Sequence, residues 1–174
     1  LFEEKSLTEL KDKAVKIAQQ ELKATYASGG KYTVILDPML VGILAHEAIG
    51  HTVEADFVSS GSIVQGKIGQ KVASDLITMV DDGTAQKTSG MTLVDDEGTL
   101  AKRTVIIKDG ILKDYLHNRE SAEDFSTKPL GNARAFTYRD EPLIRMTNTF
   151  ILPGESELSD MIEMLEKIPN LNDK

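Results

Sequence analysis

Apolar residues recur at helical spacing near the start of the chain. Leu7, Leu10, Ala14, Ile17, Ala18 and Leu22 fall on one face. Ser6 with Glu9 three residues on forms a capping box, so the pattern predicts an amphipathic helix over 6–24, ended by Ser28-Gly29-Gly30. The run Tyr32-Thr33-Val34-Ile35-Leu36 then predicts a buried strand. Asp37-Pro38 opens a second helix: Asp suits the N-cap, and Pro suits the first helical position, where its missing N–H costs nothing. That helix is expected to run to about Phe57, with Gly50 as a strong breaker within it.

Beyond it the pattern shortens. Residues 58–73 are rich in Ser and Gly and are expected to form a loop. Strands are expected at 76–80, 91–94, 104–108 and 111–116, the last two joined by a type I′ turn at Asp109-Gly110. Asp81-Asp82-Gly83 and Asp95-Asp96-Glu97-Gly98 are expected as solvated turns; they lack the ligand spacing of an EF-hand. A short helix is expected at 118–124. A long loop follows at 125–142, of a length that is often functional. The chain then predicts a strand at 146–152 and a closing helix at 157–167 with Leu158, Met161, Ile162 and Leu165 on one face. The expected fold class is α+β: one long helix packed on a mostly antiparallel sheet, with flanking N- and C-terminal helices. The expected organisation is a single partial domain, with 1–30 as helix and turn and 31–174 as the core.

Composition narrows the function. The 174 residues are 40% apolar and 28% charged, ordinary for a globular chain, and carry a formal charge of −8. With no run of Lys or Arg, direct nucleic-acid binding has no footprint. No apolar stretch is long enough for a bilayer; no signal peptide and no membrane association are expected, and the location is expected to be cytoplasmic. Cys is absent, so any metal must be held by His, Asp, Glu or backbone oxygen.

The most informative stretch is His46-Glu47-Ala48-Ile49-Gly50-His51. Zinc-binding helices usually carry two His four apart, on one face. Here they are five apart, which on an ideal helix separates them by about 140°. A single π-type turn brings them to within roughly 50°, and Gly50 lies where glycine would ease that distortion. The motif works only if the helix is widened or broken near Gly50. Glu54, at about 80° from His46 in projection, is placed either to orient His51 as an acceptor or to reach a metal itself; Asp56 points to the opposite side, towards solvent. Two imidazoles and a further ligand would hold Zn2+, with Glu47 next to the first ligand as general base for water. The competing reading of the motif alone is a core helix with one packed and one surface histidine.

The motif resembles the His-Glu-x-x-x-His signature of the TldD/PmbA family, of TldD type. The likeness continues through Val80-Asp81-Asp82-Gly83-Thr84, Asp95-Asp96-Glu97-Gly98-Thr99, Lys108-Asp109-Gly110-Ile111-Leu112, Leu116-His117-Asn118-Arg119, Gly131-Asn132-Ala133-Arg134 and Arg145-Met146-Thr147-Asn148-Thr149, in family order. It covers about Val34 to Ile168. The resemblance implies a zinc peptidase acting on peptides or partly unfolded small proteins, of a group once called modulators of DNA gyrase. It also implies a homodimer or a pairing with a PmbA/TldE-type subunit. His46 and His51 map onto the metal ligands and Glu47 onto the catalytic carboxylate. The family's third ligand is a Cys in a later segment, and this chain has none. The expectation is therefore a central piece of a longer protein, inactive by itself and weak in zinc unless Glu54 or another residue substitutes.

His117 and Arg119, at a hairpin end, and Asn132 and Arg134, in the long loop after Gly131, are further candidates for substrate contact; a surface histidine and a structural loop anchor are the competing readings. Arg145 is expected in a salt bridge. The alternative function is a non-catalytic peptide-binding or assembly module that pairs through exposed sheet edges.

Overall fold

The computed structural model describes residues 4–26 and 28–168. The chain divides into two compact units, Leu1–Val34 and Ile35–Lys174. The first holds helix α1 (Glu4–Glu21), whose apolar residues Leu7, Leu10 and Ile17 are exposed, as is Leu22 just past its end. The helix begins two residues before Ser6, so Ser6 lies inside it and not at its cap. Its bonding ends with Leu22 donating to the Ala18 carbonyl, and Lys23 and Ala24 close it with tighter i→i+3 bonds, ahead of the predicted glycine stop.

The strand predicted at 32–36 does not form. No described segment pairs with it, and Tyr32, Val34 and Leu36 are exposed. An apolar run becomes a strand only where a neighbour takes up its backbone groups.

The second unit is α+β. A four-stranded antiparallel sheet has the order β3-β2-β1-β6, built from β1 (Met79–Asp82), β2 (Arg103–Lys108), β3 (Ile111–Leu112) and β6 (Thr149–Ile151). A separate ribbon pairs β4 (Ala133–Arg134) with β5 (Leu143–Ile144); β4 lies inside the predicted loop at 125–142. The hairpin at Asp109-Gly110 has φ of 49° and 75°, the left-handed pair that a type I′ turn requires. No strand forms at 91–94, where one bridge joins Val94 to Leu100. The strand predicted at 111–116 stops at Leu112, and Leu116 bridges Glu54 in parallel instead.

The acidic pair expected in a turn lies in β1, an inner strand, where all four residues are buried. Asp81 accepts from Asn132 Nδ2, Thr147 N, Thr147 Oγ1 and Thr149 Oγ1, each at 2.8 Å. The turn begins only after Asp82, whose Oδ1 accepts from the backbone N and the hydroxyl of Thr84. Asp95 does sit in a turn, but it too is buried and its Oδ2 holds the Ala133 N–H of β4.

The register of β1 against β2 slips between Met79, opposite Ile107, and Val80, opposite Val105. Ile106 is the extra residue of this bulge, and Ile106 and Ile107 are both buried in the core as a result. Met79, Ile107 and Leu112 from the sheet pack with Val53, Ala55 and Val58, which follow the two histidines, and with Leu116, Ile144 and Met146. Later in the unit lie the helices α4 (Arg119–Asp124), capped by Asn118 accepting from Ser121 N, and α5 (Leu158–Glu166). No described helix is long and apolar enough to cross a membrane.

Candidate metal centre

The segment carrying the histidines starts as predicted. Asp37 Oδ1 accepts from Leu40 N at 2.9 Å, Pro38 is the first helical residue, and α2 runs Pro38–Leu44. The predicted single helix to Phe57 is not one helix. Residues Ala45–Gly50 form a π-helical turn, His51–Val53 a 3-10 turn, and α3 (Ala55–Ser59) starts after a break at Glu54. The His51 N–H donates to the His46 carbonyl, five residues back. This is the widened turn that a spacing of five demands.

Two features outside the segment fix the distortion. The Met146 sulfur occupies the space that a β-carbon at position 50 would need, so the side chain packs against the bare backbone of Gly50. Beyond the histidines, Leu116 N donates to Val53 O at 2.8 Å and Ala55 N donates to Leu116 O at 3.0 Å. That pairing pulls Glu54 into an extended conformation (φ −66°, ψ 124°) and ends the helical run.

The wide turn brings the imidazoles of His46 and His51 side by side, 4.8 Å between ring centroids and 84° between planes. With Glu47 they form a group whose ligand atoms all lie within 4.8 Å of one another. Ligand atoms around tetrahedral zinc with bonds of about 2.0–2.1 Å are spaced by roughly 3.3 Å. His46 and Glu47 are exposed and His51 is half-buried, so the side chains have room to rotate. Two imidazoles and a carboxylate are a donor set that suits zinc, and among the described residues this is the one group of three or more such side chains that could hold an ion.

Glu54 is fully buried, and neither carboxylate oxygen has a well-aligned hydrogen bond. Its nearest partners are His51 Nδ1, 3.3 Å from Oε1, and Arg145 Nη1, 3.6 Å from Oε2. Burial pushes the Glu54 carboxyl above the usual carboxylate range, against the pull of His51 and Arg145. The other ring nitrogen of His51, Nε2, is 3.8 Å from Glu47 Oε2. His51 therefore turns Nδ1 inward to Glu54 and Nε2 outward to the cluster. Glu54 thus lies on the inner side of the His51 ring, facing Nδ1. Asp56 is exposed, as expected.

The other sequence candidates lie elsewhere. His117 is buried, not a surface residue: Nδ1 is 3.1 Å from Ser121 Oγ, and the ring packs on Tyr115 and Phe125. Burial pulls its pKa down, and Asp114 nearby opposes this weakly. Arg119 is exposed, with its backbone N–H on Glu97 Oε2. Asn132 is buried and donates to Asp81 and to the Arg145 carbonyl. Asn132, Arg134 and Arg145 line one cavity of about 340 Å³. The link from Arg145 to Glu54 was missed from sequence, where Arg145 carried only a generic salt bridge; no local pattern marks it.

Three comparisons bear on this geometry. The profile of the PmbA/TldA metallopeptidase C-terminal domain matches residues 29–169. A metalloprotease of Methanocaldococcus jannaschii is 43% identical over 156 residues, 89% of this chain and 34% of the relative. A zinc metalloprotease TldD homolog of Saccharolobus solfataricus is 39% identical over 149 residues, 84% of this chain and 33% of the relative. The crystal structure of TldE from Thermococcus kodakarensis shares the fold, with a TM-score of 0.63 at 24% identity over 72% of this chain and 28% of that one. The chain spans about a third of the length of the curated relatives it matches.

Proposed function

The chain belongs to the PmbA/TldD family of metallopeptidases, and from that premise we propose that it carries the zinc-binding helix of a cytoplasmic enzyme that hydrolyses peptide bonds in peptides or partly unfolded small proteins. The observation that carries this reading is the π-helical turn at Ala45–Gly50, which sets His46 and His51 side by side with Glu47 at their edge.

His46 and His51 are the ligands in this reading. Zinc held there supplies a Lewis acid that lowers the pKa of water towards about 7 and polarises a substrate carbonyl. Glu47 follows the first ligand directly and its side chain is 65% exposed, so its carboxylate is free to take a proton from the attacking water and pass it to the leaving amine. Glu54 faces His51 Nδ1 at 3.3 Å and leaves Nε2 for the metal. By resemblance the third ligand is a cysteine, which this chain lacks. The reading therefore concerns the longer protein, with this chain alone holding zinc weakly. A second copy or a PmbA/TldE-type subunit is the proposed partner. Asn132, Arg134, His117 and Arg119 make their described contacts away from the two histidines, so any contact with substrate would lie beyond the metal.

Peptide cleavage and zinc content of the full-length protein test the reading. The Glu47→Gln variant is expected to keep its zinc and lose about 100-fold or more of its cleavage rate. Cleavage at the parent rate would remove Glu47 as base. A full-length protein that takes up no zinc and cleaves nothing would favour the assembly-module alternative.

A further inference from the structure

We propose that Arg145 is a positioning residue for His51, acting through the buried carboxylate of Glu54. The inference rests on the zinc-site reading above and adds what holds His51 in place.

Glu54 has no exposed surface, and its two oxygens lack aligned donors. A buried carboxylate is costly unless N–H groups face it. Two do: His51 on one oxygen and Arg145 on the other, at 3.3 Å and 3.6 Å. Arg145 is the only fixed cation of the pair, because a guanidinium stays charged. It is also the better anchored. Its Nη1 donates to Ile144 O at 2.8 Å, its backbone N donates to Asn132 O at 2.8 Å, and its carbonyl accepts from Asn132 Nδ2 at 3.0 Å. The same Asn132 amide donates to Asp81 in β1. Contacts thus run without a gap from β1 through Asn132, Arg145 and Glu54 to the Nδ1 of His51.

The consequence is chemical. An acceptor held at Nδ1 selects the tautomer with its proton there and leaves the Nε2 lone pair for a ligand. Without Arg145, Glu54 is free to turn away and His51 samples both tautomers. Partners behind a metal-ligating His change metal affinity by about 10–100-fold when removed.

The test uses the full-length protein, with zinc affinity from chelator competition and the His51 tautomer from 15N NMR of the metal-free form. Arg145→Met is expected to bind zinc about 10–100-fold more weakly and to show mixed tautomers, while the parent shows Nδ1–H alone. Arg145→Lys, which keeps a cation, is expected to recover most of the affinity and the single tautomer, which loss of packing alone would not explain. Parent-like affinity and a single tautomer in Arg145→Met, with zinc lost in His51→Ala, would overturn the positioning role and leave the zinc site standing. A parent protein that binds no zinc would overturn both. If Arg145→Met does not fold, the lysine variant decides: a folded Arg145→Lys with mixed tautomers contradicts the proposal.

Discussion

The sulfur of Met146 fills the space beside Gly50 that any larger residue would claim, and it does so at the end of the π-helical turn that aligns the two histidines. Glycine at position 50 is thus demanded by the close approach of a buried side chain from the segment before β6, since its own φ of −53° and ψ of −52° suit any residue. Met146 is itself 4% exposed, so it has little room to retreat.

Gly50→Ala should therefore destabilise the protein by about 1–3 kcal/mol, the usual cost of forcing extra atoms into a packed core. Met146→Ala opens a cavity and has its own cost. The double variant should be less destabilised than the two single losses combined, because the methyl group enters the vacated space. Urea unfolding of the four proteins measures the coupling; strict additivity would mean that the two residues do not compete for the same volume.

Asp81 is a second point of concentrated stability. One carboxylate takes four donors from Asn132, Thr147 and Thr149. Asp81→Ala takes the partner from a buried Asn132 amide and from half-buried donors of Thr147 and Thr149, and a loss on the order of 3 kcal/mol is expected. Thermal or denaturant unfolding checks this. A loss under about 0.5 kcal/mol, the range of an ordinary surface substitution, would show that water replaces the carboxylate.

His117 should make stability depend on pH. Burial holds its folded pKa below the ordinary histidine value, and Asp114, 4.0 Å from Nε2, only partly offsets this. In the unfolded chain the ring titrates near about 6.5. As pH falls below that value the unfolded state binds a proton that the folded state refuses, so stability declines until the pH has passed the lower, folded value. His117→Phe cannot titrate and should lose less stability between pH 7.5 and 5 than the parent. Parallel pH profiles for the two proteins would contradict the assignment.

Much of the site was legible because its constraints are local. A spacing of five between His46 and His51 cannot serve one metal on a regular helix, so the pattern itself asked for the π turn that is found. Asp37-Pro38 and Asp109-Gly110 carry their caps and turns within two or three residues. What failed was set from a distance. Asp81-Asp82-Gly83 has the composition of a turn, and only donors 51 to 68 residues further on make Asp81 a strand residue. Glu54 leaves the helix because Leu116 pairs with its backbone, which no helical projection could show. The run at 32–36 has strand composition and no described neighbour to pair with.

The central claim is that one cation is shared by two imidazoles five residues apart. Crystals of the full-length protein grown with zinc and measured at the zinc absorption edge address it directly. The account predicts an anomalous peak about 2.0–2.1 Å from a ring nitrogen of His46 and from Nε2 of His51, with Glu54 on the far side of the His51 ring. A peak bound to only one of these rings, or none near Gly50, would contradict it.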